Sequence, residues 1–519
     1  MNAILERIKK ATGRLEESAK RFPFSFGVFC LITLVGIYQI LAEEEAMELF
    51  FALCIGSLLC FLFELSYEYG IHRIRILIPA VALISTVISY LLMNHYDNAY
   101  VYTGLSAVAL AAVSLAFGVL YKDRETRHLF SHLLKTSFIV EVFAGVIISG
   151  FSVCITAFHF LIFDFNDIWK LFAILFLLVN GLFSIMLFLS YVPLPGEDPE
   201  VPSVYRVIIH KALFYIYLVL IGILYLYILK IIVTFKMPVG QLNWFGCFAL
   251  LFYVFFYLSV DEKDGKYQKL FKQYGAYLLV PVLAIQLFAI IIRLNAYGLT
   301  TARLMSLILI VIAVGFMICQ IFHFKVSYCF IFTAFMAILF TCTPLNIYDI
   351  PNRSQENRLK NALIKGGALV DGKLNDQVEM EAQYLEDVYS AYDYLRYSYG
   401  EKSEFFEQFS ESKIAESLYG YNNYNRDTRS FYYNNDLEDL EFDISKYSVL
   451  RRISSEGDTY DKEIRAFLSS LDTENGSYDY LEYEFKDGNK IIFQYVSFEY
   501  DDQAEVFERL YWNGILLSH

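Results

Sequence analysis

Eleven long apolar stretches fill residues 22–344. They lie at 22–42, 47–66, 74–93, 99–121, 136–163, 168–192, 209–234, 240–260, 276–296, 303–323 and 326–344. A helix needs roughly 20 residues to cross a hydrocarbon core about 30 Å thick, and each stretch is close to that length. None alternates with period two, and the runs are too long for barrel strands. Backbone groups in lipid must pair within the chain, so the pattern predicts helices. Beyond residue 344 the pattern changes. Residues 354–398 are helix-prone, with breaks at Gly366-Gly367 and Asp371-Gly372. Residues 403–418 predict a further short helix, and 419–435, rich in Tyr, Asn and Arg, reads as a loop. From 477 the period becomes two. Residues 478–485 and 491–500 read as two strands around Lys486-Asp487-Gly488-Asn489, because Asp-Gly between such runs favours a hairpin. The expected fold is an all-α polytopic membrane helical bundle of about eleven transmembrane helices (22–344), followed by a small soluble α+β domain (345–519).

Residues 1–21 read as an amphipathic leader. Ile4, Leu5, Ile8, Ala11 and Leu15 follow helical spacing, with Arg7, Lys9, Lys10 and Arg14 around them. Such a helix suits an anionic membrane face. No small-residue cleavage site follows a short apolar run, so no cleavable signal is expected.

Basic loop residues set direction, because Lys and Arg accumulate on the cytoplasmic side. They recur in every second loop: Lys20 and Arg21, Arg73 and Arg75, Lys122 to Lys135, Arg206 and Lys211, and Lys263 to Lys272. Loops 43–45, 94–98 and 164–167 are acidic or neutral. The N-terminus is therefore expected in the cytoplasm. Eleven spans then put the C-terminal domain outside, and one span more or fewer would reverse it. Residues 193–203 hold four of the ten prolines and read as an extended cytoplasmic loop.

Composition sharpens the division. Hydrophobic residues make up 56% and charged residues 19%, against about 25% charged in soluble domains. Residues 345–519 hold 35 acidic and 18 basic residues, a net of −17, whereas 1–344 nets +3. An acidic tail argues against nucleic acid as a partner, since phosphates attract Lys and Arg. All eight cysteines lie in the apolar part without C-x-x-C spacing and read as small apolar residues.

No catalytic residue, metal or cofactor is expected. The tail has one histidine, His519, and no cysteine, so Ser-His-Asp and Cys-His arrangements have no members there. H-E-x-x-H, P-loop and G-x-G-x-x-G patterns do not occur. Asp436, Glu438, Asp439, Glu441 and Asp443 do not fit a calcium loop and read as a solvated acidic face.

Polar residues inside spans are costly, which singles out Glu141, Asn180, Lys230 and Gln286. Asn180 and Gln286 read as interhelical hydrogen-bond partners. Glu141 reads as a partner of a basic loop residue or as a proton or cation site. Glu64, near the end of its span, can snorkel to water.

The most specific local feature is R-L-N-A-Y-G-L-T-T-A-R, from Arg293 to Arg303, between two spans. Gly298 suits a left-handed helix end, Thr300 an N-cap, and Arg303 the third position of the next helix. Two readings stay open. Helix N-terminal amides with Arg293, Tyr297 and Arg303 form an anion site for a phosphate, carboxylate, lipid headgroup or the acidic tail. Alternatively the arginines bind nearby carbonyls or carboxylates in a structural corner.

The run from Ile223 to Ile231, Pro238-Val239-Gly240, and Tyr297-Gly298-Leu299-Thr300 with Arg303 resemble a bacterial family of multi-pass membrane proteins described only as a domain of unknown function. Ser354-Gln355, Arg358-Leu359 and the stretch from Gly367 to Lys373 are similar to the after-membrane segment of its Bacteroidetes-type members. The resemblance covers most of 20–400. It implies a bacterial inner membrane and assigns no activity, cofactor or catalytic residue.

Three functions follow as expectations. The first is a non-enzymatic inner-membrane protein displaying an extracytoplasmic sensing or interaction domain. The second is a transporter or lipid flippase using the Arg293/Arg303 corner, with a cavity lined by Glu141, Gln286 or Asn180. The third is a membrane enzyme acting on a lipid-linked substrate. Expected partners are the bilayer, an anionic lipid headgroup, or another membrane or envelope protein.

Overall fold

The computed structural model describes residues 13, 16–43, 47–74, 77–96, 98–122, 128–162, 165, 167–195, 197, 206–234, 241–260, 265–370, 372–375, 380–400, 402–415, 418, 428–434, 446–447, 449–454, 461–471, 481–501 and 506–518. The acidic run at 436–443, His519, Pro238 to Gly240 and the apolar leader residues up to Leu15 lie outside them.

The apolar stretches are helices: α1 (Pro23–Ala42), α2 (Met47–Glu68), α3 (Leu77–His95), α4 (Ala99–Leu120), α5 (Leu129–Leu161), α6 (Ile168–Ser190), α7 (Arg206–Thr234), α8 (Gln241–Ser259), α9 (Lys266–Tyr297), α10 (Thr301–Phe322) and α11 (Val326–Cys342). Among the described residues, nine are long and apolar enough to cross a bilayer, and α8 and α11 are shorter apolar helices. The protein is a multi-pass membrane protein. α5 and α9 begin seven and ten residues before the apolar stretches do, because Leu129, Leu133 and Phe271 are buried there and extend the packing face. Packing is aromatic where α7, α8 and α9 meet: Phe214 lies edge-on to Phe256 at 5.5 Å and to Phe271 at 5.3 Å. α6 widens to π-helix over Leu177–Ser184.

Two carboxylates fasten one end of the bundle. Arg21 grips Glu68 with Nε and Nη2, both at 2.8 Å, and donates Nη1 to the Val192 carbonyl. Glu64 does not snorkel. It is buried and accepts the Phe24 and Ser25 amides at 2.8 and 3.0 Å, plus the Ser25 hydroxyl. Phe22 and Pro23 offer α1 no capping side chain, so Glu64 of α2 supplies the acceptor that the positive helix N-terminus needs.

The chain divides into two compact units. The first holds Met1–Asn361 and Ser390–Lys402, so it continues past the last apolar helix; the second holds Ala362–Tyr389 and Ser403–His519. α12 (Asp349–Lys365) is followed by the small hairpin β1 (Leu369–Val370) and β2 (Lys373–Leu374), α13 (Ala382–Tyr397) and α14 (Glu404–Ser410). The second unit carries a five-stranded antiparallel sheet of β3 (Thr428–Asn434), β4 (Val449–Ser454), β5 (Leu481–Glu484), β6 (Lys490–Asp501) and β7 (Val506–Ser518), with α15 (Asp461–Ser469). The order is β3-β6-β7-β4, with β5 also on β6. β3 replaces part of the loop expected at 419–435. β5 and β6 form the expected hairpin, with Gly488 at φ +85. A bulge between Phe493 and Tyr495 shifts the buried parity of β6, from Ile491 and Phe493 to Val496 and Phe498. These side chains pack with Trp512, Ile464 and Leu468 into the unit's own core.

Candidate functional site: the corner between α9 and α10

The segment 298–300 turns the chain between α9 and α10. Gly298 has φ +66 and ψ −177, a conformation essentially closed to residues with a Cβ. A Cβ there would also lie 3.0 Å from Gln355 Nε2. Thr300 stands at the N-cap position with extended backbone, but its side chain makes no capping hydrogen bond.

Capping comes instead from the segment after the membrane helices. The Thr301 amide donates to the Tyr394 hydroxyl at 3.1 Å, and the Leu299 amide to Ser354 Oγ at 3.0 Å. Thr301 Oγ1 donates to the Ile347 carbonyl at 3.1 Å and lies 2.9 Å from Tyr394 Oη. Gln355, almost fully buried, gives Nε2 to the carbonyls of Tyr297 at 2.8 Å and Leu299 at 3.0 Å.

The arginines face the other helix end. Arg303 Nη1 donates to the Gly298 carbonyl at 2.5 Å and the Tyr297 carbonyl at 3.3 Å. Arg358 Nη1 reaches the same Tyr297 carbonyl at 3.3 Å. Both guanidinium groups lie over the Tyr297 ring, at 5.7 and 5.8 Å. Cations thus neutralise the negative C-terminus of α9, while neutral acceptors serve the N-terminus of α10. Among the described residues neither Arg293 nor Arg303 has a carboxylate partner.

A cavity of about 980 Å³ with a mixed polar and apolar lining opens at the same end of the bundle, bounded in part by Tyr100, Asn346, Asp349, Arg353 and Tyr399. Tyr100 donates to Asp349 Oδ1, and Asn346 Nδ2 to Asp349 Oδ2 at 2.7 Å. Asn346 Oδ1 accepts the Tyr348 and Asp349 amides at 2.9 and 2.7 Å, which starts α12.

Arg293, Tyr297, Gly298, Thr300 and Arg303 therefore share one corner. The intramembrane residues do not join it or one another by any hydrogen bond among the described residues. Glu141 is exposed on the side of α5, amid exposed Phe138, Val142 and Phe143. Lys230 is exposed near the end of α7. Asn180 lies in the π-helical segment, its Oδ1 buried. Gln286 is fully buried and donates to Asn243 Oδ1 at 3.3 Å, while Asn243 Nδ2 donates to Ser306; α8, α9 and α10 are thereby tied together. Neither this cavity nor the groove described below is lined by Glu141, Asn180 or Gln286.

Ser354, Gln355, Arg358 and Tyr394 were not singled out as site residues from sequence. The available signal was that Ser354-Gln355 and Arg358 carried the resemblance together with the corner. In the fold these two stretches are one contact set.

No curated protein and no solved structure matches the chain. The profile of the domain of unknown function DUF4153 matches residues 26–388, which take in the bundle, the corner and the helix that docks on it. The chain belongs to the DUF4153 family.

Proposed function

We propose that this is a non-enzymatic protein of a bacterial inner membrane, whose bundle mounts the C-terminal domain on the extracytoplasmic face for sensing or interaction. The docking of residues 346–358 and 394–399 on the bundle end carries this reading. Ser354, Gln355, Arg358 and Tyr394 satisfy backbone groups of α9, α10 and the turn between them, so the chain leading to the second unit is held at the corner. Direction rests on charge. Lys20, Arg21, Lys122, Lys266, Lys269, Lys272 and Lys325 belong to the end opposite the corner, the pattern of a cytoplasmic face. Asp487, exposed in the β5–β6 turn, supplies the test. In intact cells, Asp487→Cys is expected to gain labelling by a membrane-impermeant maleimide over the wild-type background. Labelling only after lysis would reverse the topology and sink the proposal.

A second reading keeps the corner as an anion site, because Arg293 and Arg303 lack a carboxylate partner among the described residues. Phosphate protection of the Arg303 region from hydrogen exchange, lost in Arg293→Gln, would favour it over a purely structural corner.

A further inference from the structure

At the bundle end away from the corner, a groove of about 540 Å³ runs between α2, α4 and α11. Its volume falls within the range of ligand pockets, roughly 300–1,000 Å³. The walls are apolar: Leu62 and Phe63 from α2, Leu115 and Val119 from α4, Ile331 from α11. Gly118 of α4 forms part of its floor against α11, where a Cβ would meet the Ser327 carbonyl and Ile331 in ordinary contact at 3.6 and 3.7 Å. Two exposed lysines stand at the mouth, Lys122 just past α4 and Lys325 just before α11. Lys325 Nζ points to the Lys122 carbonyl at 3.4 Å, and neither ammonium has a carboxylate partner among the described residues. Among the described residues, no acidic side chain lines the groove.

An apolar trough in a membrane-spanning bundle, closed at its water end by two adjacent cations, matches one amphiphile in both halves. We propose that it binds an anionic phospholipid, with an acyl chain along Leu62, Leu115 and Ile331 and the phosphate between Lys122 and Lys325. A zwitterionic lipid would fill the trough but carry its own cation into the lysine pair. This proposal is independent of the corner and of the reading given above for the C-terminal domain.

Native mass spectrometry of the full-length protein tests it, with phosphatidylglycerol and phosphatidylcholine as probes. Wild type is expected to retain phosphatidylglycerol selectively. Lys122→Gln with Lys325→Gln should lower that selectivity on the order of 10-fold, as two interfacial lysines imply. Leu115→Trp should displace the lipid with both lysines in place. Both lysines are exposed, so the double variant should keep the wild-type melting midpoint in lipid-free detergent. Equal retention of the two lipids by wild type would overturn the proposal, as would unchanged selectivity in the double variant. A lipid-free dimer that buries the groove would overturn it too.

Discussion

The Tyr394 hydroxyl accepts the backbone N–H of Thr301 at 3.1 Å, closing the first turn of α10 from 93 residues further along the chain. Helix N-termini leave amides without intrahelical partners, and a nearby Ser, Thr, Asp or Asn usually serves them. Thr300 has the right type and position, yet the acceptor comes from beyond the membrane domain. The corner and the after-membrane segment therefore depend on each other for backbone satisfaction.

Tyr394→Phe removes that acceptor and leaves the ring. By analogy with lost caps it should cost about 1 kcal/mol, within 0.5–2. The expected outcome is a lower melting midpoint in detergent and faster proteolysis after residue 344. Unchanged values would mean that water replaces the hydroxyl at no cost.

Gly298→Ala combines an unfavourable backbone region with a 3.0 Å approach to Gln355 Nε2. Strain of this kind costs roughly 1–3 kcal/mol. Gly222→Ala, in open space within α7, is the control and should be neutral or mildly stabilising. Similar midpoints for the two variants would contradict the corner geometry.

Much of the architecture was legible locally, and the misses have a common cause. Hydropathy located the helices because lipid imposes length and internal pairing on each one separately. Gly298 was legible because its conformation belongs to one residue. β3 was not, since Thr428–Asn434 becomes a strand by pairing with β6, more than 60 residues away in sequence. Glu64 was misread for the same reason: a carboxylate near a helix end looks solvated until the N-terminus of α1 is brought against it. Ser354, Gln355 and Tyr394 are unremarkable residues until α12 and α13 are folded back onto the corner.

Glu64→Gln tests the buried cap. The carboxylate accepts three donors, and an amide would turn its own NH₂ toward at least one of them. A loss of about 1–3 kcal/mol is expected, the penalty for an unsatisfied buried group. A snorkelling Glu64 would instead give a change within about 0.5 kcal/mol, as at ordinary surface positions.

Arg21 and Glu68 form a two-pronged ion pair with side chains only 12% and 21% exposed. A double-mutant cycle with Arg21→Gln and Glu68→Gln should give a coupling of roughly 0.5–3 kcal/mol. Additive effects would show that the pair does not tie the start of α1 to the end of α2.

The docking of the after-membrane segment is tested most directly by a photocrosslinker at position 394. With p-benzoylphenylalanine in place of Tyr394, irradiation of the full-length protein in membranes should join residue 394 to the peptide spanning 297–303. Crosslinks confined to residues 403–519, with none to the corner, would contradict the account.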